Sequence, residues 1–113
     1  PVHTLAILPF TNATGSGDLE WMREGLAEML VTDLSQSRFV RPVPGERVFR
    51  VLGDLGAAER TRFDESTLES ISRRAPAQTV LYGQFVESGG KLRLDLTLRR
   101  AGSGVPVPLK AEA

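Results

Sequence analysis

Residues 5–30, LAILPFTNATGSGDLEWMREGLAEML, contain the pattern that decides the fold. An apolar run reaches a proline, passes into a loop of Thr, Asn, Gly and Ser, and continues with the spacing of a helix. A strand, a glycine-containing loop and a helix in this order cradle phosphate in nucleotide-binding proteins. The first question is therefore whether this loop holds a phosphate group.

The residues of the loop argue against a phosphate site. A Walker loop needs a lysine, but a leucine follows Gly15–Asp18 and no lysine precedes Lys91. The dinucleotide motif GxGxxG fails because its third glycine is Glu20. Asp18 and Glu20 put carboxylates near the phosphate position, and like charges 4 Å apart repel by roughly 4 kcal/mol at an effective dielectric constant of about 20. We therefore predict a connecting loop without a bound cofactor.

Three helices are predicted from the spacing of apolar residues. The first begins at Leu19 with Asp18 as its N-cap. Its apolar face consists of Leu19, Met22, Leu26, Met29, Leu30 and Leu34. The second covers residues 45–55. Its apolar face consists of Val48, Phe49, Leu52 and Leu55. The third covers residues 65–74 and is capped by Asp64.

Four stretches have the composition of β-strands, and residues 105–111 are compatible with a fifth. The four are residues 3–8, 39–43, 79–86 and 91–99. Leucines alternate with polar residues along 91–99, which predicts a strand with one apolar and one polar face. Ser88–Gly90 is typical of a hairpin turn between the last two of the four.

Proline and glycine add positional detail to the strands. Pro42 predicts that its strand is short or lies near an edge of the sheet. Pro106 and Pro108 are two residues apart, so their missing N–H groups fall on the same side, and the strand could pair with one neighbour while its outer edge is blunted. Gly83 weakens its strand unless a helix or the backbone of a partner approaches closely.

The order β-α-β-α-α-β-β, with a further β at the end, predicts an α/β (α+β) fold. We expect a mixed sheet of four to five strands with about three helices packed on it, because the first crossover is parallel and the closing hairpin is antiparallel. Residues 1–113 are long enough for one domain. Because the sequence begins with Pro1 and not with a methionine, we expect it to be a domain of a longer protein.

Composition excludes several kinds of chemistry. The chain has no cysteine, which rules out disulfides, thiolate metal sites and a cysteine nucleophile. His3 is the only histidine, so no histidine metal cluster or serine–histidine triad can form, and it is predicted to be a structural or solvent-exposed residue. The net charge of zero does not favour nucleic acid, and no apolar run approaches the ~20 residues of a membrane helix. We predict no catalytic residues and no metal.

The charges are nevertheless uneven along the chain. Residues 1–37 carry one arginine against five carboxylates, and residues 38–62 carry six arginines against three. These are interpreted either as solvated faces or as a partner-facing surface. Trp21 lies off the apolar face of its helix, as either an interface anchor or a lid over the sheet edge. The candidate partner-binding residues are Phe10, Asn12, Trp21, Arg38, Arg41, Arg47 and Arg50.

Four segments together resemble a known family. They are LAILPF at 5–10, EGLAEMLVTDLSQ at 24–36, FVRPV at 39–43 and VLYGQFVESGGKLRLDLTL at 80–98. The chain resembles the TolB amino-terminal-like domain, akin to the FlgO and CsgG-type accessory domains of bacteria. It departs from that pattern at Tyr82–Gln84 and at the prolines of its last strand. The resemblance implies a mixed α/β domain with no catalytic activity of its own.

The resemblance implies a non-enzymatic interaction or sensor domain. Its parent would be a larger bacterial signalling protein, such as a eukaryotic-type serine/threonine kinase or a repeat-containing regulator, or an envelope assembly. The expected partner is a neighbouring domain or subunit, and a homodimer is also compatible. The periplasmic side of a bacterial membrane protein is favoured over the cytoplasm. The alternative is a small-ligand sensor with a cleft near the C-terminal end of the first strand.

Overall fold

The computed structural model has a mixed β-sheet with helices on both faces, and it describes residues 2–58, 62–102 and 106–112. The elements follow in the order β1 (His3–Ile7), β2 (Thr11–Asn12), a 3-10 turn (Gly17–Leu19), α1 (Met22–Leu34), β3 (Val40–Pro42), α2 (Gly45–Asp54), α3 (Glu65–Arg74), β4 (Thr79–Ser88), β5 (Lys91–Arg100) and β6 (Val107–Glu112). The predicted α/β (α+β) class is confirmed, and a final strand is present.

The strands are arranged in the order β3-β1-β4-β5-β6, and the short β2 also pairs with β4. Strand β1 is parallel to β3 and β4, whereas β5 is antiparallel to both of its neighbours, β4 and β6. The turn between β4 and β5 contains Gly89 and Gly90, whose φ angles of 58° and 76° favour glycine. The predicted parallel crossover and antiparallel hairpin are thus both present, and β2 is the strand that the sequence did not indicate.

Strand β1 supplies side chains to a core on each face of the sheet. Leu5 and Ile7 lie in a cluster with α1, whereas Ala6 and Leu8 lie in a cluster with α2 and α3. All four are buried. A strand covered on both faces has an unbroken apolar sequence, which explains the run that opens this chain.

The start and the apolar face of α1 differ from the prediction. Asp18 is not the N-cap, because a 3-10 turn over Gly17–Leu19 intervenes and the helix begins at Met22 after Trp21. Met29 is 56% exposed, since it lies about 100° around the helix from Leu30, beyond the side that packs on the sheet. The cap predicted for α3 is confirmed, because the Asp64 carboxylate accepts a hydrogen bond from the Thr67 N–H at 2.9 Å.

Both edges of the sheet have few free N–H donors. In β3, the carbonyl of Phe39 and the N–H of Val43 bond to β1, so alternation places the nitrogens of Val40 and Pro42 on the outer edge. Pro42 has no N–H, and that of Val40 bonds to the Ser37 hydroxyl at 3.3 Å. In β6, which pairs with β5, Pro108 likewise lacks an N–H. These edges disfavour addition of another strand.

The polar face of β5 is partly covered by α3. Arg99 belongs to the polar face predicted for this strand, but it is only 5% exposed because Glu65 and Glu69 of α3 lie over it. Its Nε donates to the Glu65 Oε2 at 3.0 Å, and its Nη1 lies 2.9 Å from the Glu69 Oε2. The Arg99 guanidinium holds the pKa of Glu69 below its usual range. Arg99 therefore fastens α3 to the sheet.

Gly83 lies where the backbone of β5 leaves no room for a side chain. A Cβ atom at this position would overlap the carbonyl oxygen of Asp95 and lie 3.0 Å from the Cα of Leu96. The φ angle of Gly83 is not positive, so the restriction is steric. The backbone that approaches Gly83 closely is thus that of the paired strand β5, whereas the sequence had suggested a helix or a partner.

We expect Gly83→Ala to lower the free energy of unfolding by about 1–3 kcal/mol, because the backbone of β5 must move to admit a methyl group. Urea denaturation followed by circular dichroism measures this change. Gly53→Ala is the control, since Gly53 lies in α2 with open space around it and alanine raises helix stability by up to about 1 kcal/mol. Equal stability of the two variants would contradict the steric argument.

We expect Glu69→Gln to make the free energy of unfolding fall less steeply as the pH is lowered. The pKa of Glu69 is lowered in the folded state by its hydrogen bond to Arg99, so its contribution is present above its ordinary pKa of 4.5 and is lost as the pH falls through the lower, folded pKa. Urea denaturation between about pH 6 and pH 3 measures the slope. Glu87→Gln, an exposed position, should retain the wild-type slope.

Candidate functional site

The loop after β1 is organised around Asn12. The side-chain N–H groups of Asn12 donate to the carbonyl oxygen of Ser16 at 2.9 Å and to the Glu20 carboxylate at 3.0 Å. Its Oδ1 accepts from the N–H and the hydroxyl of Thr14 at 3.0 and 2.6 Å. The Ser16 N–H in turn donates to the Thr14 hydroxyl at 3.1 Å. An anion would have to displace these bonds, so the loop is built as a self-bonded connection.

Phe10 and Arg23 fasten this loop to α1. The Phe10 N–H donates to the carbonyl of Arg23 at 2.9 Å, and the Arg23 Nε donates to the carbonyl of Phe10 at 3.2 Å. The Arg23 guanidinium also lies 3.4 Å from the Glu20 carboxylate. The Phe10 side chain is 0% exposed and belongs to the core. Its candidacy as a partner contact is therefore corrected, because a fully buried ring cannot touch a partner.

Trp21 is held on the surface by the helix that follows it. Its indole is 70% exposed and lies over Gly25, where an added Cβ would be 3.2 and 3.3 Å from two ring carbons. Because Gly25 has no side chain, the ring can lie against the first turn of α1. The structure therefore does not show the lid over the sheet edge that was one interpretation of Trp21.

The candidate arginines lie in two groups. Arg38 precedes β3, Arg41 lies within it, and both line a depression with Val2 and Ser37. The other group is on the far side of α2, where Arg47, Arg50 and Arg74 line a depression together with Val51, Asp54 and Pro76. These depressions are open and shallow surfaces. The structure thus separates the four candidate arginines and adds Arg74 of α3 to one pair.

A small cleft lies between α1 and α2, where β1 ends. Ile7 and Pro9 form its floor, and the helices supply the walls. The wall residues are Ala27 and Val31 from α1, and Gly45, Val48 and Phe49 from α2. Glu24, Glu28 and Glu46 stand at its rim. The cleft is the position at which open α/β sheets bind ligands, and it is the position predicted for a small-ligand site.

The volume of this cleft is about 100 Å³. Sites for metabolites and other drug-sized ligands enclose roughly 300–1,000 Å³. A 150 Å³ apolar cavity, for comparison, holds a molecule of about the size of benzene. The cleft therefore has room for one aliphatic side chain and is too small to enclose a typical metabolite, which weighs against the small-ligand alternative.

Two exposed aromatic residues were missed as candidates. Phe39 is 72% exposed beside the arginines of β3, and Phe49 is 45% exposed at the cleft, although Phe49 was predicted on the apolar face of α2. Phe49 lies about 100° around the helix from the buried Val48. The charged neighbours Arg38 and Arg50 were a signal of exposure in the sequence. The apolar period alone could not separate a rim residue from a core residue.

The pKa values of Glu69, Asp95 and Arg99 depart from ordinary values, and each of these groups belongs to an ion pair. A hydrogen bond from the Arg93 guanidinium lowers the pKa of Asp95, and Gln84 donates to the same carboxylate at 3.1 Å. Asp95 is thereby held ionised on the surface of the sheet, as an acceptor of hydrogen bonds. Among the described residues, no group of three His, Asp or Glu side chains is placed to bind a metal ion.

No helix within the described ranges has the length and apolar character needed to cross a membrane.

Known proteins of the same fold were found by structure and not by sequence. Neither protein-family models nor curated protein sequences gave a match to this chain. The LpoB C-terminal domain from Salmonella enterica matches with a TM-score of 0.77 and 18% identity over 98% of this chain and 82% of that one. The Escherichia coli LpoB C-terminal domain matches with a TM-score of 0.70 and 19% identity over the same shares of the two chains.

A third solved structure is lipoprotein GNA1162 from Neisseria meningitidis. It matches with a TM-score of 0.72 and 15% identity, over 97% of this chain and 78% of that one. These comparisons show that the chain has the fold of these three structures. The resemblance to the TolB amino-terminal-like family stays a prediction.

Proposed function

We propose that this chain is a non-enzymatic protein-interaction domain of a bacterial envelope assembly. The fold supports this proposal, because it is shared with the C-terminal domain of LpoB and with a lipoprotein. Lipoproteins are attached to membranes through their acyl chains, which supports a location on the extracytoplasmic side of a bacterial membrane. The observation that carries the proposal is the exposed indole of Trp21, which α1 presents to solvent.

Trp21 has the energetic properties of an interface anchor. Tryptophan buries roughly 150–250 Å² and is enriched among residues that dominate binding energy. Since 70% of Trp21 is exposed, covering it removes apolar area worth about 3–4 kcal/mol as an upper limit. Contact with Gly25 restrains the ring in the free protein. Such restraint reduces the entropy lost on binding.

The other candidate residues take different parts in the proposed interaction. Arg38 and Arg41, with the exposed Phe39, form one further contact surface, and Arg47 and Arg50 of α2 form another. Asn12 acts by holding the loop beside Trp21 in shape, because both ends of its amide are engaged within the loop.

The parent protein is proposed to be larger than this single domain. A relation to TolB amino-terminal-like domains and a part in a signalling protein or sensor are further proposals, and they rest on the sequence resemblance alone. The partner would be a neighbouring domain or another subunit of the assembly.

Replacing Trp21 with the photo-crosslinking amino acid p-benzoylphenylalanine tests the proposal. We expect irradiation of the full-length protein in its native host to give an adduct with a defined protein. Trp21→Ala should weaken the purified pair by tenfold or more, as truncation of an anchor does, and change the stability of the domain by no more than about 0.5 kcal/mol. Binding assays and urea denaturation measure the two effects.

Two comparisons make this experiment decisive. The crosslinker at Glu87, an exposed position near the end of β4, is the control and should give no adduct with the same protein. If crosslinkers at Trp21, Phe39 and Arg47 all fail to capture a protein, the interaction function is wrong. A reproducible thermal shift with a small molecule would instead favour the sensor.

A further inference from the structure

The cleft between α1 and α2 combines an apolar interior with a negatively charged rim. Its interior is formed by Ile7 and Val48, which are buried, and by Phe49, which remains partly exposed. Glu24 and Glu28 stand one helical turn apart on α1, and Glu46 faces them from the first turn of α2. Apolar surface and like charges are therefore concentrated at one position where β1 ends.

The rim carboxylates are not neutralised by their neighbours. Glu24, Glu28 and Glu46 form no ion pair with any side chain in the part of the chain that the structure describes. Arg47 and Arg50 of α2 line a different depression, and neither forms an ion pair with Glu46 in the structure. Three unpaired carboxylates around one opening attract a cation and repel an anion.

The size and the charge of the cleft together define its occupant. A volume of about 100 Å³ admits one aliphatic side chain, whereas a polypeptide attached to that side chain would run across the rim between the helices. Basic residues next to the aliphatic one would then meet the glutamates. An acidic segment would meet like charges instead, which is how complementary potentials exclude wrong partners.

We propose that the cleft between α1 and α2 binds a segment of a partner protein in which one aliphatic residue is flanked by lysines or arginines. The aliphatic side chain enters beside Phe49 and Val48, and the basic side chains pair with Glu24, Glu28 and Glu46. This inference rests on the proposed interaction function and specifies the chemistry of the partner. It adds a second contact to the one proposed at Trp21.

A synthetic peptide tests the inference directly. The probe is a short fluorescent peptide with a central leucine and lysines on both sides, and its binding is followed by fluorescence anisotropy. We expect saturable binding that weakens between about 0.1 M and 1 M salt, as the Debye length falls from about 10 Å to about 3 Å. Peptides with glutamate in place of lysine, or serine in place of leucine, should bind at least about tenfold more weakly.

Two matched pairs of variants locate the binding. Glu28→Lys should weaken the lysine peptide by about tenfold or more, whereas Asp33→Lys, on the same helix but outside the cleft, should not. Gly45→Leu should fill the cleft and abolish binding. Gly53→Leu is its control, since both glycines lie in α2 with open space around them and only Gly45 lines the cleft.

Backbone amide chemical shifts separate the outcomes. Shifts confined to residues of the cleft support the inference. Equal binding of the lysine and glutamate peptides, full binding by a folded Gly45→Leu variant, or shifts confined to another surface would overturn it. An adduct from Trp21 in the crosslinking experiment would then still support the interaction function, so failure of this inference is distinguishable from failure of the proposed function.

Discussion

Burial of strand β1 on both of its faces and pairing on both of its edges hold this domain together. The strand is paired with β3 on one edge and β4 on the other, and its side chains enter both cores. A polar residue at Ala6 or Ile7 would therefore be surrounded by apolar atoms on its face of the sheet, with no water to hydrate it. Because β1 is paired on both edges and packed on both faces, its ends determine where the helices and the loop can lie.

The end of β1 creates the surface on which both proposals rest. Ile7 pairs with Leu81 and Thr11 pairs with Gln84. The chain therefore advances four positions between β1 and β2 while β4 advances three, and the extra residue makes the segment after β1 bulge. Pro9 lies in the bulge and forms part of the floor of the cleft between α1 and α2. The loop beyond it is closed by its own side chains. The local geometry of one strand end thus sets the position of the exposed indole and of the acidic rim.

Some residues of this domain stabilise the fold, and others are available for contact with a partner. Short β3 and the prolines of β3 and β6 make the edges poorer templates for another strand, which favours side-chain surfaces for an interaction with a partner. Arg99 and Gly83 fasten the interior, one by ion pairs with α3 and the other by close contact with the backbone of β5. Trp21 and Phe49 contribute little to either core, which leaves them free for contact.

The order of strands and helices could be predicted from local patterns in the sequence. The continuous apolar run of β1, the alternating leucines of β5 and the capping residue Asp64 each predicted a local structure that is present. The start of α1 was misplaced because the 3-10 turn satisfies backbone bonds that an N-cap would otherwise satisfy. Phe10 was predicted to contact a partner because the loop that follows it was, but its ring is buried in the core.

The fold class and the exclusion of cysteine and histidine-cluster chemistry could be read from the residues alone, because residue counts and the periods of two and 3.6 residues are local properties. Which side chains share a surface became known from the packing of the elements. It brought Glu46 opposite Glu24 and Glu28, separated the candidate arginines into two groups, and buried Arg99 beneath α3. These arrangements depend on how helices distant in the chain pack on one sheet, and no local pattern contains that packing.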